Sequence, residues 1–140
     1  MMKFTAFMLI LFGFFYPPSA SAHQWTPTYV EWNDSYMTGI VQTRLNLFNI
    51  RQDVDYFEVQ VLDVNMRPVD FAVTDKIIHA PYLNKKSVDI YIRRIDMDRA
   101  VYVCSVSKLL VAGNTGASVA SRICSKVKNA LPTNDITAGQ

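Results

Sequence analysis

The sequence predicts an all-β protein, a single antiparallel sandwich of about seven or eight short strands. Three observations predict it. Apolar and polar residues alternate with period two over several stretches, Asn, Asp, Gly and Pro punctuate the chain between those stretches, and no long 3.6-residue apolar period interrupts them.

Before the first strand, residues 1–22 read as a secretory signal. Met1–Lys3 form a short basic head, Phe4–Tyr16 an almost unbroken apolar run, and Pro17 and Pro18 end it. Ala20-Ser21-Ala22 then offers small residues at the two positions a signal peptidase reads. The apolar run is short for a permanent bilayer span, and no Cys follows Ala22 to take a lipid. Residues 23–128 are expected to form one exported domain and residues 129–140, small and polar, a flexible tail. Removing 1–22 from 140 leaves 118 residues, enough for one modest core.

Thr28–Trp32 is apolar and aromatic and reads as the first strand, ended by the turn residues Asn33-Asp34-Ser35. Gly39–Asn49 alternates clearly, with Val41, Thr43, Leu45 and Leu47 on one face and Gln42, Arg44 and Asn46 on the other. Asp55–Val64 repeats the pattern with Phe57, Val59 and Val61 inward, and Asn65-Met66-Arg67-Pro68 turns the chain. Val69–Thr74 and Lys76–Ala80 are shorter strands, and Pro81, which has no N–H for a ladder, marks a break. Lys86–Arg93 places Val88, Ile90 and Ile92 inward; Ile95-Asp96-Met97-Asp98-Arg99 is a solvated turn; Arg99–Ser107 and Ser118–Lys128 complete the set. Leu109–Ala112 and Val119–Val127 also admit a helical reading. Strands of this number and spacing fit a sandwich of immunoglobulin type.

Charge excludes one class of partner. Setting aside Lys3, 13 of the 14 basic residues stand against 12 acidic ones, with no long basic stripe. That balance gives no pull toward nucleic acid. After signal removal no membrane span remains, and the expected compartment is the periplasm.

Cys104 and Cys124, an even pair in an exported chain, read as one disulfide. Closing a loop of 20 residues is worth about 3 kcal/mol on the chain-entropy model. Catalytic signatures are missing: there is no G-x-S-x-G, phosphate-binding glycine loop or H-E-x-x-H. No enzyme activity and no cofactor are expected, although a triad assembled in space leaves no mark in sequence. One metal alternative stays open. Cleavage after Ala22 would make His23 the N-terminus, whose amine and imidazole chelate Cu(II), and His79 could add a nitrogen. That pairing resembles the terminal-His brace of secreted copper proteins built on a β-sandwich.

Three stretches carry a wider resemblance: Val41–Asn49 (VQTRLNLFN), Ile77–Arg93 (IIHAPYLNKKSVDIYIR), and Tyr102–Lys126 with its two Cys and its Cys124-Ser125-Lys126 end. Read in order, the exported part resembles the N-terminal immunoglobulin-like domain of the periplasmic chaperones that assemble bacterial pili and fibres. It is most similar to the branch with a long loop and a disulfide between its last two strands. The resemblance implies binding of secreted protein subunits of a surface assembly through an edge strand, where backbone bonds give affinity and alternate side chains fill a groove. On it, Lys126 matches the cleft lysine that takes a subunit's C-terminal carboxylate. Val119, Ile123 and Val127 form the apolar row, with Arg122 and Lys126 facing the other way. The row is equally explained as the core face of a last strand. Two departures stand out: the family carries a second domain, and its first strand carries an Arg, whereas Thr28–Trp32 has none and Arg44 lies on the next strand. A permanent structural subunit of a pilus, conjugation or secretion apparatus is the alternative role.

Overall fold

A computed structural model describes residues 22–108 and 120–128 of the chain. Residues 1–21 of the expected signal (1–22), Leu109–Ala112, Val119 and the expected tail 129–140 therefore lie outside the described residues. The strands are β1 (Gln24–Thr26), β2 (Tyr29–Val30), β3 (Asn33–Asp34), β4 (Ile40–Phe48), β5 (Tyr56–Leu62), β6 (Ala72–Val73), β7 (Ile77–His79), β8 (Lys85–Arg93), β9 (Tyr102–Lys108) and β10 (Arg122–Val127).

They form two sheets. The first runs β1-β4-β8-β6 with β3 also beside β4, and the second runs β2-β10-β9-β5-β7. Every pairing is antiparallel except β2 with β10, which is parallel. This is the predicted immunoglobulin-like sandwich, and its long strands follow the period-two reading. Val41, Thr43, Leu45 and Leu47 of β4 are buried, as are Phe57, Val59 and Val61 of β5 and Val88, Ile90 and Ile92 of β8. The β4 and β8 rows of the first sheet face the β5 row of the second, and their apolar members form one cluster with Trp25, Val103 and Val127.

The beginning of the chain departs from the expectation of a single strand over Thr28–Trp32. It is split between sheets: β1 pairs with Asn46–Phe48 of β4, and β2 pairs with Lys126–Val127 of β10. Three residues carry no visible periodicity, so β1 is silent in the sequence. Its anchor is Trp25, 4 % exposed, whose indole N–H donates to the Val103 carbonyl of the opposite sheet at 2.9 Å. Trp25→Phe removes that donor and part of the ring volume. It should lower unfolding free energy by about 1–3 kcal/mol, readable as a lower urea midpoint with an unchanged slope.

Two turn readings also change. Asn33 and Asp34 form β3, opposite Gln42 and Val41. The reversal comes later, where Ser35 N–H donates to the Ile40 carbonyl and Gly39 adopts φ +78°, a conformation that favours glycine. Asp96 sits in a short 3-10 turn, Arg94–Asp96, and is 4 % exposed rather than solvated. Its carboxylate accepts from Arg93 Nε at 2.8 Å and from Arg99 Nη1 at 3.4 Å, so flanking guanidinium groups make its burial tolerable.

Candidate protein-binding edge

Cys104 and Cys124 are joined, and the pair lies directly cross-strand in the β9–β10 register. Directly opposed residues in an antiparallel pair alternate between those that exchange backbone bonds and those that do not, and the closer pairs are the non-bonded ones. The Cα atoms of Cys104 and Cys124 are 4.0 Å apart, which places them in the non-bonded class. Lys126 confirms the phase, because its N–H leaves β9 and donates to the Thr28 carbonyl at 2.9 Å. The backbone groups of Arg122, Cys124 and Lys126 therefore point away from β9, to the outer edge of the sheet. β2 reaches Lys126 and Val127 there, and among the described residues no strand pairs with Arg122 or Cys124 on that side. The outcome is an edge strand closed at one end and open at the other.

The same alternation fixes the side chains. Ser125 and Val127 are fully buried, and Ile123 is half-buried against the core. Val127 thus anchors β10 and offers no surface, which corrects its place in the predicted contact row. Arg122, Cys124 and Lys126 stand on the outer face, Arg122 exposed and Lys126 half-buried. Lys126 lies between Tyr29 of β2 and Tyr102 of β9 in register. Neighbouring lysines are spent: Lys128 pairs with Glu31 at 2.8 Å and Lys108 with Glu58 at 2.5 Å. The Lys108 ammonium, above all, holds the Glu58 carboxyl below its usual range. Among the described residues no carboxylate pairs with Lys126 or Arg122, so the open edge carries two cations.

Arg44 does not join them. It lies on β4 in the other sheet, exposed, and binds Asp89 through two bonds of 2.6 and 2.9 Å. The register neighbours of Lys126 are Tyr29 and Tyr102. The tyrosines had no sequence signal as site residues, because strand register brings them there.

The histidines go to opposite faces of the second sheet. His79 is exposed and stacks on Tyr56 with ring centroids 4.8 Å apart. His23 is 2 % exposed and packs on Phe57, the next residue of β5 and fully buried, at 4.7 Å. Adjacent strand residues point to opposite faces, so the two imidazoles cannot share a copper ion. His23 Nδ1 instead bonds Ser121 Oγ at 3.2 Å. This Ser–His contact has the Arg51 guanidinium beside it, and burial pushes the imidazole down to about 4, which makes it a poor general base at neutral pH.

No helix among the described residues is long and apolar enough to cross a membrane. No protein-family model and no curated protein sequence matches the chain. Solved structures do match. The chain is similar to the E. coli chaperone DraB, with TM-score 0.54 and 15 % identity over 76 % of this chain and 53 % of that one. It is similar to the periplasmic chaperone SfaE, with TM-score 0.53 and 11 % identity over 76 % of this chain and 56 % of that one. The chain thus spans about half the length of these structures. It shares their immunoglobulin-like fold.

Proposed function

We propose that this domain is a periplasmic protein-binding module of chaperone type, which takes a partner strand onto the open edge of β10. The observation that carries the reading is the phase of β10: the backbone groups of Arg122 and Cys124 face outward, and β2 stops short of them. An extended segment added there would gain backbone bonds, and its length would run past Arg122, Ile123 and Lys126. The ammonium of Lys126, without a carboxylate partner among the described residues, suits a carboxylate. By resemblance, the partner is a secreted subunit of a surface assembly. Val119, outside the described residues, would extend the contact beyond Arg122. Val127 supports the strand from within.

The test separates the edge from the rest of the surface. Arg122→Pro deletes an outward N–H without touching the bonds to β9, and proline is tolerated on an edge. Tagged protein from its own periplasm should capture one secreted protein, which Arg122→Pro and Lys126→Ala each lose by tenfold or more, on the order of 1.4 kcal/mol per tenfold. Arg44→Ala, on the opposite sheet, should capture it normally. An identical captured set for all four proteins would overturn the reading.

A further inference from the structure

A buried polar cluster lies beneath the open end of β10, where Ser121 adjoins Arg122. Four distant parts of the sequence meet in it. Ser121 Oγ lies 3.2 Å from His23 Nδ1, 3.2 Å from Arg51 Nη1 and 3.3 Å from Ser107 Oγ. Arg51, 5 % exposed, also reaches Ser107 Oγ at 3.3 Å and holds Asp53 through two bonds of 2.8 and 2.5 Å. Ser107 Oγ accepts the Ser121 N–H at 2.8 Å. His23 immediately precedes β1, and Ser121 immediately precedes β10. The His23–Ser121 bond therefore ties the edge strand of one sheet to the edge strand of the other.

One hydroxyl serves three neighbours here. With a neutral imidazole, Ser121 can donate to Nδ1 and accept from Arg51. With a charged imidazole, Nδ1 becomes a donor too; the two lone pairs of Ser121 Oγ can accept both, but two cations then converge on one buried oxygen and repel each other. Nε2 already carries its proton in the neutral tautomer, and this buried N–H has no hydrogen-bond partner among the described residues. Among the described residues the charged and titratable groups around the ring are few, and cleavage after Ala22 would add the α-amine of His23 itself. Arg51 and Asp53 come from the segment after β4, β5 presents Phe57, β9 presents Ser105 and Ser107, and Ser121 leads into β10. Lys108, Glu58 and Arg122 stand on the other face of that sheet.

We propose that the His23–Ser121–Arg51 cluster is an acid-sensitive latch, closed at neutral pH, whose opening frees β1 and the first residues of β10 together. The inference does not depend on what the edge binds. Burial is the main force on His23, with the Arg51 charge acting the same way and the Ser105 backbone acting against both; the result is a value of about 4 in place of 6.5. A folded-state value below the unfolded one means the latch is fully effective above about 6.5 and is lost as pH falls through about 4.

Hydrogen exchange of the protein expressed from the full chain, read as protection factors at about pH 7 and about pH 4.5, tests it. In the wild type, protection of Gln24–Thr26 and Arg122–Cys124 should fall about tenfold or more, while that of Thr43–Leu47 holds. His23→Gln, neutral throughout, should show no selective loss, and Asp53→Asn should lose protection as the wild type does. The His23 ring resonance should titrate at about 4, the lower end of the range over which protection is lost, a reading that needs no variant. Equal protection at the two pH values in the wild type would overturn the latch, as would a His23 ring that titrates near 6.5. Abolition of the loss by Asp53→Asn would assign it to the Arg51–Asp53 pair and also overturn it.

Discussion

Replacing Cys104 and Cys124 together by alanine lowers unfolding free energy by about 2–5 kcal/mol, the range for native disulfides of small secreted domains. Part of this is general: a cross-link between residues 20 apart restricts the unfolded chain. Part is local. β9 is held on both sides, by seven residue pairs with β5 and by β10, whereas β10 has β9 on one side and two residues of β2 on the other. The cross-link sits at the middle of the β9–β10 ladder, between the open end at Arg122 and the end that β2 covers. Losing it should therefore loosen β10 before the rest of the sheet. Thermal unfolding of the double variant should give a lower midpoint, and exchange should show β10 losing protection ahead of β5. A midpoint equal to that of the wild type would remove the disulfide from the account of stability and leave the β9 ladder alone to hold the edge.

How far such features can be read in a sequence depends on how they are encoded. The rows Val41–Leu47, Phe57–Val61 and Val88–Ile92 are local and periodic, so strand, face and burial follow from the order of residues. The two cysteines announce a pairing by their even number in a chain read as exported. β1 and β3 leave no trace, because a strand of two or three residues is defined by its partner. Asn33 and Asp34 read as a turn and become a strand for want of any apolar signal. Asp96 looks solvated until Arg93 and Arg99 are seen to close on it. The cluster of His23, Arg51, Ser107 and Ser121 is the extreme case, since each member is unremarkable alone and the longest gap between partners is 98 residues. The open edge itself lies between these cases. Alternation gives the faces of β10, while its hydrogen-bonding phase requires the register with Cys104.

Asn49 combines both kinds of encoding, and its substitution should cost as much as loss of the disulfide. It ends the alternating stretch of β4, and it is fully buried. Its Nδ2 donates to the Val54 carbonyl at 2.6 Å and to the Ala80 carbonyl at 2.8 Å, and its Oδ1 accepts the Arg51 N–H at 2.8 Å. Its backbone pairs with Asn84 and Leu83 at 3.0 and 2.7 Å. One side chain thus fixes the exit from β4, the entry to β5 and the crossing from β7 to β8. Asn49→Ala leaves two buried carbonyls and one N–H without partners, and should cost about 3–5 kcal/mol at roughly 1–3 kcal/mol per orphaned group after partial relaxation. Asn49→Asp discriminates the hydrogen bonds from mere packing. It keeps the size but turns two donors into acceptors that face the Val54 and Ala80 carbonyls, and at neutral pH it buries a charge. The Asp variant should therefore be less stable than the Ala variant at pH 7 by urea unfolding, and should recover part of the difference on acidification as the carboxyl takes up a proton. If Asp and Ala were equally stable at pH 7, the side chain would be acting as filler, and the loops it joins would owe their positions to the backbone bonds of Leu83 and Asn84.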